Sequence, residues 1–135
     1  MSKSSGLGQS VLSVDDASGT PQPIKNDITN WQLATPRGVQ EITGVDKSAI
    51  ERLLLLADCS ITYNGVFNAA TGMSHDVFKT VPSTSVNRTC TNTVNGVTLA
   101  PEILFTDYQL TRANSGELTW QAPGSLADGT VPTWA

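Results

Sequence analysis

The sequence predicts a mainly β fold, an antiparallel β-sandwich or barrel with one or two short flanking helices. Between residues 57 and 67, apolar and polar side chains alternate, which is the period of a strand with two different faces. Asn95-Gly96, between Val94 and Val97, is typical of a type I′ hairpin turn. The 135 residues also include 17 Thr, 13 Ser and 8 Asn, which favour strands, turns and caps.

Composition divides the chain into three parts around a single predicted domain. Residues 1–22 are predicted to be a flexible N-terminal arm and hinge, because the first ten are mostly small and polar. Residues 23–122 carry the strand patterns and form the predicted β-rich core. Residues 123–135 contain two prolines and two glycines and are predicted to be an irregular C-terminal arm.

The first half of the chain is predicted to contain short strands and one very long one. Val11, Leu12 and Val14 indicate a strand, residues 15–23 a loop, and residues 37–43 a second, weakly alternating strand. Residues 24–33 fit neither period clearly. The alternation over 57–67 predicts one extended strand of roughly 35–40 Å, longer than most strands of isolated domains.

Two short helices are predicted from capping signals. Asp46 can cap a helix of about two turns, with Val45 and Ile50 as a hydrophobic staple. Ser74 can cap a second one, which Pro82 ends. Helices this short are marginal alone, so both are expected to pack against a sheet.

The second half is predicted to consist of strands. Residues 86–94 form a Thr/Asn-rich strand, residues 102–113 a long extended stretch, and residues 117–122 a final alternating strand. Asn114-Ser115-Gly116 predicts the turn between the last two.

Charge and hydropathy argue against nucleic-acid and membrane binding. Eight basic and twelve acidic residues give a net charge of −4, and no basic run is present to neutralise phosphates. The longest apolar run is five residues, and the N-terminus lacks the apolar segment of a secretory signal. Synthesis in a cytoplasm is therefore expected.

The sequence predicts no enzyme, no cofactor and no metal. Cys59 and Cys90 have no metal-ligand spacing and are expected to be packed thiols, although their state stays open. The single histidine, His75, lies at the start of the second predicted helix and is expected to be exposed there. Asp15-Asp16 lacks a calcium-loop pattern and is expected to be a solvated turn.

Some residues indicate contacts with another subunit. Residues 86–94 bury little by alternation alone and are predicted to expose an unprotected strand edge, as an ordinary hairpin arm or as a subunit contact. A tryptophan near the chain end, Trp134, is expected to be docked on its own subunit or on a neighbour. The subunit-interface candidates are Val11, Leu12, Val14, Asn87, Thr89, Thr91, Thr93 and Trp134.

The order of these elements resembles the major tail protein, or tail tube protein, of long-tailed, siphovirus-like bacteriophages. The resemblance spans about 100 of the 135 residues. The segments that carry it are residues 36–53 (PRGVQEITGVDKSAIERL), 63–68 (YNGVFN), 74–78 (SHDVF), 107–108 with 116–120 (DY, GELTW) and 128–134 (DGTVPTW).

The resemblance implies a structural virion protein that polymerises with itself, as stacked hexameric rings whose strands close an inner β-barrel. Closure of the ring would remove sheet edges. It implies that the terminal arms and a long loop join successive rings, with other phage tail proteins as partners. It also implies that double-stranded DNA passes through the bore into the host without specific binding.

The net charge has a physical use in such a tube. Six copies of a −4 chain carry about −24 per ring, which would repel passing phosphates. The lumen-facing candidates are Asp58, Glu102, Asp107 and Glu117. The alternative interpretation is another β-sandwich tail component, such as a terminator or baseplate protein, or a ligand-binding or adhesin module. The residues alone do not indicate which strand face lines the bore.

Overall fold

The computed structural model describes residues 3–135. Within them the chain forms eleven strands and one short helix. Their bounds are β1 Val11–Asp15, β2 Pro21–Pro23, β3 Ile28–Ala34, β4 Arg37–Glu41, β5 Arg52–Ala57, β6 Ser60–Val66, α1 Ser74–Phe78, β7 Arg88–Val94, β8 Val97–Leu99, β9 Glu102–Phe105, β10 Gln109–Arg112 and β11 Leu118–Leu126.

Nine strands form one antiparallel sheet in the order β2-β1-β7-β9-β11-β6-β3, with β8 added beside β7 and β10 beside β11. The other two strands, β4 and β5, pair only with each other. The predicted mainly-β antiparallel class is confirmed. The sheet of the single chain ends at β2 and β3 and does not close into a barrel.

The sheet bends so that its two halves face each other across one core. β9 pairs with β7 on one side and with β11 on the other, which joins the two halves. The Tyr63 hydroxyl on β6 donates to Asn92 Oδ1 on β7 at 3.1 Å, although these strands are not neighbours in the sheet. The buried side chains between the halves are Leu12, Val14, Ile24, Cys59, Ile61, Tyr63, Val77, Phe78, Cys90, Ile103, Phe105, Trp120 and Ala122.

The predicted long stretch over 102–113 is one path interrupted by a bulge. Phe105 pairs with Gly124 and Gln109 with Gln121, so three residues of this path oppose two residues of β11. The Thr106 amide still donates to the Pro123 carbonyl at 3.1 Å. β9 and β10 therefore follow the same edge of β11 in sequence.

Local sequence signals identified both predicted turns. Asn95 and Gly96 have φ of 51° and 82°, the left-handed pair that a type I′ turn requires. Gly116 has φ of 97° at the turn between β10 and β11. The strands predicted over 11–14, 37–43 and 86–94 are confirmed as β1, β4 and β7.

The single strand predicted over 57–67 is wrong in its length. Ile61 and Tyr63 are buried as the alternation requires, but β6 begins only at Ser60. Asp58 and Cys59 separate β5 from β6, and the Asp58 side chain accepts the Cys59 amide at 2.8 Å. This local bond turns the chain where the pattern alone suggested continuity.

The helix predicted after Asp46 is also wrong, because Arg52–Ala57 forms β5 and the preceding residues form a loop. The second helix is confirmed as α1, but Ser74 is its first residue rather than its cap. The cap comes from elsewhere in the chain. The buried Asp27 carboxylate accepts the Ser74 amide at 3.0 Å and the Asn68 side-chain amide at 2.9 Å.

The predicted edge of residues 86–94 is not free, since β7 pairs with β1 on one side and with β8 and β9 on the other. Its inward face is buried rather than open, and it includes Arg88, Cys90 and Asn92. The Arg88 guanidinium donates to the carbonyls of Asp15 and Val77 at 3.0 and 2.9 Å. These bonds join β1, α1 and β7, and they explain how a cation is accommodated in the core.

Parts of both predicted arms belong to the sheet. β1 and β2 lie within residues 11–23, and β11 continues through the predicted boundary at residue 123 to Leu126. Further along, Thr98 and Ala135 exchange two backbone hydrogen bonds of 2.8 and 2.9 Å. Pairing of backbone groups therefore orders segments that looked irregular by composition.

Gly65 tests the packing of the core. It pairs with Trp120, and a Cβ there would meet the Asp27 carbonyl and lie 2.7 Å from Trp120 Cζ2. Gly65→Ala is expected to lower the free energy of unfolding by about 1–3 kcal/mol through overpacking, measured by urea denaturation. Gly6→Ala is the control, because a Cβ there has nothing within 4 Å. Equal stability of the two variants would contradict the described packing.

Candidate assembly surface

An ordered hairpin outside the core carries most of the exposed leucine of the chain. We call residues 37–57, which comprise β4, β5 and their connection, the leucine hairpin. Leu53, Leu54, Leu55 and Leu56 are 49%, 56%, 42% and 90% exposed. Burying a leucine side chain contributes about 1.5–3 kcal/mol, so this exposure forgoes a large stabilisation. Exposed apolar clusters of this kind mark interaction surfaces.

Both faces of the leucine hairpin are apolar. Val39 pairs with Leu54, and Gln40 with Leu53. Because side chains alternate across a strand, Leu54 shares one face with its partner Val39, whereas Leu53 and Leu55 share the other. A bulge at the register shift between Arg37 and Val39 interrupts the alternation after Leu55. A surface that covered one face would leave the other in water.

The shape of the leucine hairpin is fixed by its own hydrogen bonds. At its root, the Asp58 amide donates to the Pro36 carbonyl at 2.9 Å, and Arg37 Nη2 donates to the Leu55 carbonyl at 2.7 Å. Near its tip, the Glu51 amide donates to Thr43 Oγ1 at 2.8 Å. The hairpin is thus ordered without packing into the core.

The leucine hairpin has no net charge. Arg37, Lys47 and Arg52 balance Glu41, Asp46 and Glu51, three positive against three negative. Glu41 and Arg52 are also direct cross-strand partners. Electrostatic attraction to a strongly charged partner is therefore not what this surface offers.

A second surface lies on the outward side of β3, β6, β10 and β11. Side chains alternate between the two sides of these strands, and those on the outward side are uncharged and mostly polar. We call this set the neutral face: Asn30, Gln32, Thr62, Asn64, Gln109, Thr111, Thr119 and Gln121. Neighbouring side chains bond within it, as Asn64 Nδ2 does to Asn30 Oδ1 at 2.7 Å.

The four acidic lumen candidates do not gather on one strand face. Asp58 precedes β6, Glu102 opens β9, Asp107 lies in the bulge after β9, and Glu117 lies just before β11. The start of β6 pairs with the end of β11 and its end with the start of β11. Asp58 and Glu117 therefore lie near opposite ends of the neutral face.

Glu102 belongs to a small polar cluster at the end of β1. Its carboxylate accepts the Thr89 hydroxyl, and Asp15 lies beside the same threonine. Burial raises the pKa of the Asp15 carboxyl, and the negative charge of Glu102 adds to the rise. Within residues 3–135, no group of three or more His, Cys, Asp or Glu side chains is arranged to hold a metal ion.

The residues predicted as subunit-interface candidates differ in how far they are exposed in the single chain. Leu12 and Val14 are buried in the core of the single chain, whereas Val11 is 40% exposed. Of the β7 candidates, Thr91 is half-buried and Asn87, just before the strand, is exposed; Thr89 and Thr93 bond to Glu102 and Thr98. Trp134 is 53% exposed and lies beside Arg37 and Asp58, at the root of the leucine hairpin.

The single histidine and the two cysteines all contact neighbouring side chains or lie in the core. His75 Nδ1 lies 3.1 Å from the Tyr108 hydroxyl, and its ring is 4.8 Å from that of Phe67. Both cysteines are buried free thiols, and burial raises the pKa of each. A raised pKa disfavours the nucleophilic thiolate.

Within residues 3–135, no helix is long and apolar enough to cross a membrane.

The leucine hairpin is the feature that sequence reasoning missed. The signal was present in the consecutive leucines, because an apolar run without a period is typical of a strand covered on both faces. The i, i+3, i+4 spacing of Ala49, Ile50, Leu53 and Leu54 pointed to a helix instead.

No protein-family model matches this chain, and no curated protein matches it. Among solved structures, a chain from the tail of an empty GTA particle, computed with helical refinement in C6 symmetry, aligns with a TM-score of 0.74. The alignment covers 98% of this chain and 99% of that chain at 14% identity. A chain from the virion of a native gene transfer agent (GTA) particle aligns with a TM-score of 0.64, 13% identity and coverage of 92% and 95%. The fold is thus shared with these chains over almost the whole length.

Two leucines distinguish the hairpin from the core. Leu56 is 90% exposed and Leu99 is 1% exposed. Leu56→Ala is expected to change the free energy of unfolding of the monomer by no more than about 0.5 kcal/mol. Leu99→Ala, the matched control, is expected to cost about 2–5 kcal/mol. Chemical denaturation at low protein concentration measures both, and a large loss at Leu56 would place the hairpin in the core of the monomer.

Proposed function

We propose that this chain is a structural virion protein that polymerises into the tail tube of a phage-like particle, through which DNA passes. The leucine hairpin carries the proposal, because it is ordered, has no net charge and exposes apolar surface that the monomer does not cover. The shared fold with a chain from a C6-symmetric GTA tail supports a ring assembly.

The strand directions are compatible with a closed ring. In the section β3-β6-β11-β10, neighbouring strands alternate in direction, and the two outer strands run in opposite senses. Rotation of a copy about an axis along the strands would therefore place its β3 antiparallel to β10 of the next copy. Six copies with four strands each would give a barrel of 24 strands and no free edge.

The neutral face is the natural wall of such a bore, because its side chains offer DNA phosphates no positive charge. The predicted acids Asp58, Glu102, Asp107 and Glu117 would then lie around the margins of this wall. With about −24 per ring of six, the field of the assembly repels a polyanion. We propose passage without specific binding.

The same proposal assigns the remaining parts of the chain. Residues 3–10 and the segment carrying Trp134 would join successive rings, and other tail proteins would bind the two ends of the tube. The protein would be made in the cytoplasm of the bacterial host and function in the virion. No catalysis and no cofactor are part of this proposal.

Electron microscopy of the purified protein tests polymerisation. The parent is expected to form rings and tubes at high concentration, and a variant with serine at positions 53–56 is expected to remain monomeric. A variant with isoleucine at the same four positions is the control, because it keeps the apolar surface and the strand preference. A parent that stays monomeric would contradict the proposal, and rings that never stack would favour a terminator.

Lysines introduced on the neutral face test whether this face lines the bore. Tubes of Gln32→Lys/Gln121→Lys are expected to retain short linear duplex DNA in co-sedimentation, with retention falling as salt rises, whereas parent tubes release it. Thr130→Lys, at an exposed position outside the neutral face, is the control. Equal retention by the two lysine variants would show that the neutral face does not line the bore.

A further inference from the structure

We propose that the helix α1 holds the two outer strands of the section β3-β6-β11-β10 at a fixed angle, and that the contact of His75 with Tyr108 positions β10 for closure of the ring. The inference rests on the proposed function and adds the residues that determine how many copies close one ring. It concerns the number of copies in a ring rather than the existence of the polymer.

The helix α1 contacts the residue that precedes each outer strand. Asp27 immediately precedes β3, and its carboxylate accepts the Ser74 amide at 3.0 Å. Tyr108 immediately precedes β10, and its hydroxyl lies 3.1 Å from Nδ1 of His75. Ser74 and His75 are the first two residues of α1. The start of one short helix therefore connects the two edges that the proposed ring would pair with neighbouring copies.

The helix α1 is itself fixed to the rest of the fold. The side chains of Val77 and Phe78 are buried in the core. The Arg88 guanidinium on β7 donates to the Val77 carbonyl at 2.9 Å, and the His75 amide donates to the Asn68 carbonyl at 3.2 Å. Because α1 is held by the core, by β7 and by the segment after β6, it is a fixed point of reference for both outer strands.

The strand β10 depends on such a fixed point. Its residues Gln109–Arg112 are all exposed, and it pairs only with β11. The bulge before β10 bends the path and increases its twist. Tyr108 anchors the end of this bulge, because its ring lies 5.8 Å from that of Phe78 and 6.0 Å from that of Trp120. The direction of β10 therefore depends on how Tyr108 is held.

The number of copies in a closed ring is sensitive to this direction. The twist between neighbouring strands ranges over roughly 10° to 35° among sheets. A ring of six copies turns its wall by about 60° per copy, and a ring of seven turns it by about 51° per copy. The difference between the two rings is smaller than the range of twist, so strand pairing alone does not select the number of copies. The contact between α1 and Tyr108 supplies the missing constraint.

The two tyrosines of the chain provide a matched test. Tyr108→Phe removes the hydroxyl beside His75, whereas Tyr63→Phe removes the hydroxyl that donates to Asn92 at 3.1 Å in the core. Rings of each variant are sorted by copy number in negative-stain class averages. Tyr108→Phe is expected to raise the share of rings that differ from the predominant parent ring by about fivefold, the effect of losing one hydrogen bond. Tyr63→Phe is expected to keep the parent copy number, although urea unfolds it more easily.

Substitutions of His75 test the same contact from the helix side. His75→Asn keeps a polar atom two bonds from Cβ, as Nδ1 is, and is expected to form rings like the parent. His75→Leu has no such atom and is expected to behave like Tyr108→Phe. In the free chain, hydrogen exchange of residues 109–112 measured by mass spectrometry is expected to rise about fivefold in His75→Leu and Tyr108→Phe, but not in His75→Asn or Tyr63→Phe.

The outcomes separate this inference from the proposed function. Rings and hydrogen exchange like those of the parent in Tyr108→Phe would overturn the inference and leave the proposed tail function unaffected. Mixed rings in Tyr63→Phe as well would also overturn it, because the copy number would then follow stability rather than the position of β10. A parent that stays monomeric contradicts the proposed function and this inference with it.

Discussion

The main constraint on this molecule is that one sheet must cover its own apolar face. It does so by bending at β9, which pairs with both halves, and by bringing Tyr63 on one half to Asn92 on the other. The short helix α1 supplies Phe78, whose ring lies 5.1 Å from those of Phe105 and Trp120. With this space filled, the leucine hairpin has no place inside and remains on the surface.

Strands with one apolar and one polar face could be predicted from the sequence, because their alternation reflects the boundary between the core of the same chain and its outer surface. Ile61 and Tyr63 face the core while Thr62 and Asn64 face outward, as their alternation indicates. The leucine hairpin could not be predicted in this way, because the partner that we propose for it is another copy of the chain and not the core of the same chain. Its run of leucines therefore shows no strand period. The helical spacing of the apolar residues before and within it led to the wrong prediction of a helix after Asp46.

The neutral face and the cap of α1 both depend on long-range pairing, which single residues in the sequence do not reveal. The acids chosen from the sequence are separated along the sheet, whereas the uncharged side chains between them form a continuous face once four strands are paired. Similarly, α1 is capped by Asp27, which lies 47 residues before the amide that it accepts. Long-range pairing of this kind sets both surfaces and helix ends, and local propensity does not encode it.

The composition of the leucine hairpin also determines how an assembly built on it responds to its surroundings. Burial of hydrocarbon side chains is driven mainly by entropy near room temperature and weakens on cooling. Particles joined at these leucines are therefore expected to loosen in the cold and to tighten in sulfate. Moderate sodium chloride, which screens charge pairs, should matter little to a contact whose charges already cancel.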